Sequence, residues 1–324
     1  AMQRSETWMK TTATKTAPIT GAASGHMSGR EWAMLLALAA IWGGAFFFAK
    51  VAVSQVPPFT VVLCRVALAA LTLHLVLRLR GIPFVPASRW PAYAGMAVLN
   101  NVIPFSLLFY GQTQIGAGLA SILNATTPVF AVIVAHVFTP DERLTGGKLA
   151  GVLLGVAGVA ALVGVDALRE LGADVWAQLA CLGAALSYGF AATYGRRFRG
   201  DAPVASAAAQ VTASSLIMLP IVALADQPWT LPLPSAQVIG AIALLGIVST
   251  GFAYILFFSI LKSAGATNVM LVTLLVPVTA ILLGAFVLGE RLGASDFAGM
   301  ALIALGLAAI DGRIWKRFTR FRSR

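Results

Sequence analysis

Ten runs of mainly apolar residues, separated by short polar connections, fill nearly the whole sequence. A helix that crosses a bilayer needs about 20 such residues. The runs read as 32–53, 57–78, 90–111, 115–137, 148–165, 174–195, 203–225, 236–260, 264–288 and 293–312. Charged residues bound several of them: Asp174 and Arg196 the sixth, Asp201 and Asp226 the seventh, Lys262 and Glu290 the ninth. The fifth and tenth are short and glycine-rich. Strict apolar–polar alternation is absent, and the runs are too long for strands. Only 11% of the residues are charged and 59% are hydrophobic. One soluble core could not hide that much apolar surface, whereas lipid accepts it as solvent. An all-α membrane protein with ten transmembrane helices is the expectation.

The net charge of +11 would suit a nucleic-acid partner, but the basic residues sit in the tails and in loops between apolar runs. With an even number of spans both termini share a side. Placing them inside puts Arg4, Lys10, Lys15 and Arg30 in the cytoplasm, with Arg78, Arg80, Arg89, Arg143, Lys148, Arg196, Arg197, Arg199, Lys262 and the basic tail 313–324. Lys50, Arg169 and Arg291 remain outside, and Arg65 lies within a span. Cytoplasmic loops carry the excess of Lys and Arg, so both termini are expected in the cytoplasm. The basic tail is expected against anionic lipid, with no nucleic acid bound. Residues 1–30 are polar, lack the apolar core of a signal peptide and are read as a flexible cytoplasmic tail. Cys64 and Cys181 lie far apart inside apolar runs, without a CxxC or Cys/His pair. They read as small apolar fillers rather than a disulfide or zinc site.

The chain repeats itself. Pro128 in NATTPVF matches Pro277 in TLLVPVT, and Gly116-Ala117 match Gly265-Ala266. Glu142-Arg143-Leu144 match Glu290-Arg291-Leu292, Gly151 matches Gly299 and Gly158 matches Gly306. The offset is nearly constant, with one single-residue gap. Upstream the likeness is weaker: Trp42 with Tyr188, Pro58 with Pro203, Arg65 with Gln210, Pro104-Phe105 with Gly251-Phe252. Each half, 31–165 and 166–312, holds five spans. Five is odd, so the second half enters the membrane from the opposite side. Two inverted five-helix repeats follow, an arrangement common among secondary transporters.

These doubled motifs, Pro…Glu-Arg-Leu…Gly…Gly, with the Trp-Gly of the first span and Pro58 followed by Arg65, resemble the EamA-type transporters of the drug/metabolite transporter superfamily. The resemblance covers nearly everything after residue 30. It implies ten helices, alternating access and export of small metabolites such as amino acids, and it looks closest to the aromatic-amino-acid exporters. A nucleotide-sugar or drug transporter of the same superfamily is the second reading. A membrane-embedded enzyme is the reading from a different class. It would need an acid–base or nucleophile–base cluster near one interface, and none is found, so no catalytic residue, metal or cofactor is expected. The partners are a small-molecule substrate and the lipid bilayer, with a monomer or homodimer both open.

All 12 acidic residues lie in tails, in loops or at span ends. Proton relays in membranes generally use a mid-span carboxylate, so facilitative transport is expected. His74 and His136 read as structural or interfacial, and Lys50 as interfacial. Arg65 reads first as a snorkelled or helix-bridging arginine near the outer surface, two turns from Pro57-Pro58, and second as a clamp for a substrate carboxylate. The candidate substrate-binding residues are neutral: Trp42, Phe46, Asn101, Phe105, Asn124, Tyr188, Tyr254 and Thr273. Amides in mid-membrane must face protein or water, and rings suit an apolar side chain. Pro104, Pro128, Gly251 and Pro277 are the candidate hinges, because proline removes a backbone hydrogen bond. Gly147, Gly151 and Gly155 form a stripe suited to close helix packing.

Overall fold

The computed structural model describes residues 27–139, 145–163, 173–198, 200–264, 266–269 and 271–311. Those residues are helical with short connections and no strand. Seven helices are long and apolar enough to cross a membrane: α1 Gly29–Ala52, α2 Pro58–Arg80, α3 Ala87–Gln114, α4 Ala117–Phe138, α6 Asp174–Phe198, α7 Pro203–Ala225 and α8 Ala236–Leu261. Three shorter apolar helices complete the series: α5 Gly146–Val163, α9 Val272–Leu288 and α10 Ala294–Asp311. The two tails, the Glu142-Arg143-Leu144 motif, Gly265 and Met270 lie outside the described residues.

Local chemistry accounts for the helix ends. Ser28 and Glu31 close a capping box on α1. Pro58 and Pro203 open α2 and α7 from the first turn, where the missing N–H costs nothing. Gly81 ends α2 in the left-handed conformation at φ 61°, which a side chain would disfavour. Gln112 Nε2 donates to Phe46 O at 2.7 Å, while Lys50 Nζ donates to Gln112 O at 2.7 Å and Ile115 O at 3.0 Å. Lys50 therefore secures the C-terminal carbonyls of α3 and ties α1 to it.

Several helices are not regular inside. In α4 a turn at Ala125–Thr126 separates Ala117–Asn124 from Thr127–Phe138. Pro128 cannot donate to the Asn124 carbonyl and its ring crowds that oxygen. Thr127 Oγ1 donates to it instead, at 2.7 Å. The expected span 264–288 is likewise in pieces, Ala266–Val269 and then α9. Pro277 stands inside the unbroken helix α9, so the interruption falls upstream of the proline proposed as its hinge. In α3 the backbone widens to a π-helix over Val98–Val102, just before Pro104, and in α8 it does so over Leu244–Phe252, which contains Gly251. A π-turn relieves the clash Pro104 would cause. In α8 the Thr250 hydroxyl donates to Leu245 O at 2.9 Å.

Packing between the halves is reciprocal. Helix α1 packs on α9 and α4 on α6; α2 packs on α7, and α5 on α10. Exchanging the two halves returns the same set of pairs. The α5–α10 contact shows this at the atomic level. A Cβ on Gly158 would lie 2.8 Å from Gly299 O, and one on Gly306 would lie 2.7 Å from Gly151 O. The aligned glycines thus face each other's counterparts, and small residues let the two backbones meet.

Candidate functional site

A cavity of about 630 Å³ opens between the halves, lined from every helix except α5 and α10. Most of its wall is apolar or aromatic. Trp42 and Phe257 meet with ring centroids 5.6 Å apart, and Phe46, Phe105, Phe109, Tyr188, Tyr254 and Phe258 share the lining. Neutral polar groups interrupt it: Asn100, Gln112, Ser121, Asn124, Gln210, Ser249, Thr250 and Thr273. Pockets for small molecules have this size and this mixture of apolar wall and few polar groups.

The structure brings together Trp42, Phe46, Phe105, Asn124, Tyr188, Tyr254 and Thr273 in this wall. Asn101 is not part of it. That side chain is fully buried, donating to Ser214 Oγ at 2.9 Å and accepting from the Tyr254 hydroxyl at 3.3 Å. The π-turn sets the difference. It places Asn100 on the cavity, where its Nδ2 donates to Gln210 Oε1 at 3.2 Å, and turns Asn101 toward α7. Of the hinge candidates, Pro128 lines the cavity, while Pro104 is buried beside the π-turn. Gly251 lies against Thr72, where a Cβ would come within 2.9 Å of Cγ2. Tyr110 of α3 and Phe252 of α8 face outward at 49% and 50% exposure.

Arg65 is the departure from the first expectation. It does not snorkel: it is 8% exposed and forms part of the cavity wall. Its Nε donates to Thr250 Oγ1 at 2.8 Å, and its guanidinium carbon lies 3.7 Å from the centre of the Phe105 ring. The helix-bridging role holds, between α2 and α8, but in the interior. Gln112, Ser249, Thr250 and Phe109 were also missed as lining residues. The signal for Phe109 was available, since it follows Phe105 by one helical turn. Gln112 Oε1, Asn124 Oδ1 and Ser249 Oγ are buried without a hydrogen-bond partner among the described residues.

The EamA-like transporter family model matches residues 30–164 and again 175–310. The chain belongs to the EamA-like transporter family. It carries the family's unit twice and is a multi-pass membrane transporter of the drug/metabolite superfamily. Among curated relatives, an uncharacterized transporter, YoaV, of Bacillus subtilis is 24% identical over 84% of this chain and 94% of its own length. An uncharacterized inner membrane transporter, YedA, of Escherichia coli K12 is 25% identical over 85% of this chain and 89% of its own. One solved crystal structure shares the fold with a TM-score of 0.61 at 22% identity, covering 87% of this chain and 96% of that one.

Proposed function

We propose that this EamA-family protein exports small amphipathic metabolites, foremost neutral and aromatic amino acids, across a bacterial inner membrane by alternating access. In this reading its ten helices form two inverted five-helix repeats with both termini in the cytoplasm. The observation that carries it is the cavity between the halves, whose lining pairs aligned residues of the repeat: Trp42 with Tyr188, and Arg65 with Gln210. Inverted repeats put a substrate at their interface, where each half can open toward one side. The interrupted helix α4 and the piecewise approach to α9 supply the irregular backbone that such sites use near the midplane. Aromatic rings suit an apolar side chain, and amides and hydroxyls suit its polar end. A nucleotide sugar would bring two phosphates, and among the described lining residues Arg65 is the only cation.

The test is flux from proteoliposomes loaded with a panel of neutral, aromatic and charged amino acids and a nucleotide sugar. Neutral or aromatic amino acids should move, and their flux should continue after an uncoupler is added, because no described lining residue is a carboxylate. Trp42→Ala should insert normally and cut flux by about tenfold, by removing apolar contact area. Flux of the nucleotide sugar alone would replace this reading with the second one, and flux abolished by the uncoupler would refute facilitation.

A further inference from the structure

Arg65 is a charged side chain buried inside a membrane protein, and such groups are ordinarily paired. No carboxylate among the described residues pairs with it; the recorded ion pair, Arg89 with Asp201, stands elsewhere. An arginine stays protonated in proteins, so its burial does not neutralise it. Thr250, Phe105 and Phe109 hold it without cancelling its charge. The Thr250 hydroxyl oxygen accepts a hydrogen bond from Nε, and Thr250 is itself fixed by donating to Leu245 O. Phe105 covers one face of the guanidinium, an arrangement that orients a cation. Neither Nη group makes a hydrogen bond to the described residues, and both belong to a residue of the cavity wall.

The aligned residue of the other half sharpens the point. Gln210 occupies the place of Arg65 in the repeat, lines the same cavity and accepts a hydrogen bond from Asn100. A neutral amide thus serves the bridging role on that side. The scaffold does not need a charge here, so the charge on the α2 side calls for a ligand.

We infer that Arg65 is the seat of a substrate carboxylate. Its two Nη groups donate a two-pronged pair of hydrogen bonds to the two carboxylate oxygens, with Phe105 beneath the guanidinium. Planar forks of this kind match a carboxylate in a way a lysine ammonium does not. Arg65 then determines specificity: a molecule must bring a carboxylate to enter, whatever else it carries. This rests on the transporter reading and deepens it, since the amino group becomes optional and the carboxylate obligatory.

The experiment uses the purified full chain and two matched sets, one aromatic and one aliphatic. Each holds the α-amino acid, the acid lacking the amine, the amine lacking the carboxylate, and the amino-acid amide. Binding is followed by tryptophan fluorescence and checked by counterflow in proteoliposomes. In the wild type the two carboxylates of a set should bind about a hundredfold tighter than its amine and amide. Arg65→Gln should bring the carboxylates down to the level of the amide and leave the amide unchanged. Arg65→Lys should fall between. If the wild type binds amine or amide as well as the acids, if Arg65→Gln keeps the preference, or if no member of either set binds, the inference is overturned. Binding of the deaminated acids without the amino acids would uphold the carboxylate seat and refute the amino-acid reading. If Arg65→Gln does not fold, the wild-type comparison decides by itself.

Discussion

Asn100 and Asn101 are neighbours in sequence with different work. Asn100 looks onto the cavity, while Asn101 is sealed between α3, α7 and Tyr254. Asn101→Ala should therefore act on stability, lowering the melting midpoint by the equivalent of about 1 kcal/mol. Asn100→Ala should weaken ligand binding at nearly unchanged midpoint. Thermal melts of the detergent-solubilised protein with and without ligand separate the two, and the reverse pattern would mean that Asn101, not Asn100, meets the ligand. A second residue-scale test concerns Asp201, in the turn before α7. Its carboxylate accepts from the Tyr93 hydroxyl at 2.6 Å and pairs with Arg89. The Tyr93 hydrogen bond first, then Arg89, hold its pKa below the ordinary value of 3.8. A depressed carboxylate pKa adds stability above the unfolded value, and that stability is lost as pH falls through the folded value. The contribution should be constant from pH 7 to about 5, begin to fall near pH 4 and be lost as the pH drops on through the lower folded value. Asp201→Asn should lower the melting midpoint at pH 7, with the difference from wild type shrinking at the acid end. A difference that persists there would point to packing rather than charge.

At the scale of helices, the acidic residues that are missing from mid-membrane turn up at helix starts. Asp226 accepts from Thr60 N at 2.7 Å in the first turn of α2. Glu290, beyond the end of α9, accepts from Ala117 N at 2.7 Å and Gly118 N at 3.0 Å at the start of α4. These N–H groups have no partner within their own helix, and the helix dipole favours a negative charge there. The repeat gains a physical meaning from this contact: the Glu-Arg-Leu motif of the second half grips the Gly-Ala motif of the first. Glycines make the room. A Cβ on Gly116 would lie 2.7 Å from Glu290 Cδ, and one on Gly284 would collide with its Oε2. Glu290→Gln and Gly284→Ala should each lower the melting midpoint. Because both act through one carboxylate, the double variant should lose less than the sum. A full sum in a thermal double-mutant cycle would show that Gly284 serves a different contact.

For the whole molecule, the cavity lies where α1–α4 meet α6–α9, with α5 and α10 paired outside its wall. That placement is the one the proposed alternating-access reading requires, with the glycine contact of α5 and α10 outside the cavity wall. The proposed orientation can be tested apart from transport. A reporter active only outside the membrane should give no signal when fused at Arg324, and a strong signal when placed in the 226–235 connection. Signals in the opposite sense would invert the topology and move Arg65 from the outer to the inner part of its span.

Helix, membrane and repeat could be read from the chain alone, because each depends on local or periodic properties: run length, apolar content, and motifs such as Pro…Glu-Arg-Leu that recur at a steady offset. The aromatic lining was also within reach, since Trp42 and Tyr188 stand at aligned mid-span positions. Which of two adjacent asparagines faces the cavity was not. A π-turn adds one residue to the helical repeat and rotates everything after it, and no propensity of Val98–Val102 announces that. Nor did the sequence decide between the two readings of Arg65. Its depth below Pro57-Pro58 suggested a surface, but depth along a helix says nothing of the direction a side chain takes. That direction depends on Phe105, from α3 of the same half, and on Thr250 of α8, which comes beside α2 only when the halves pack.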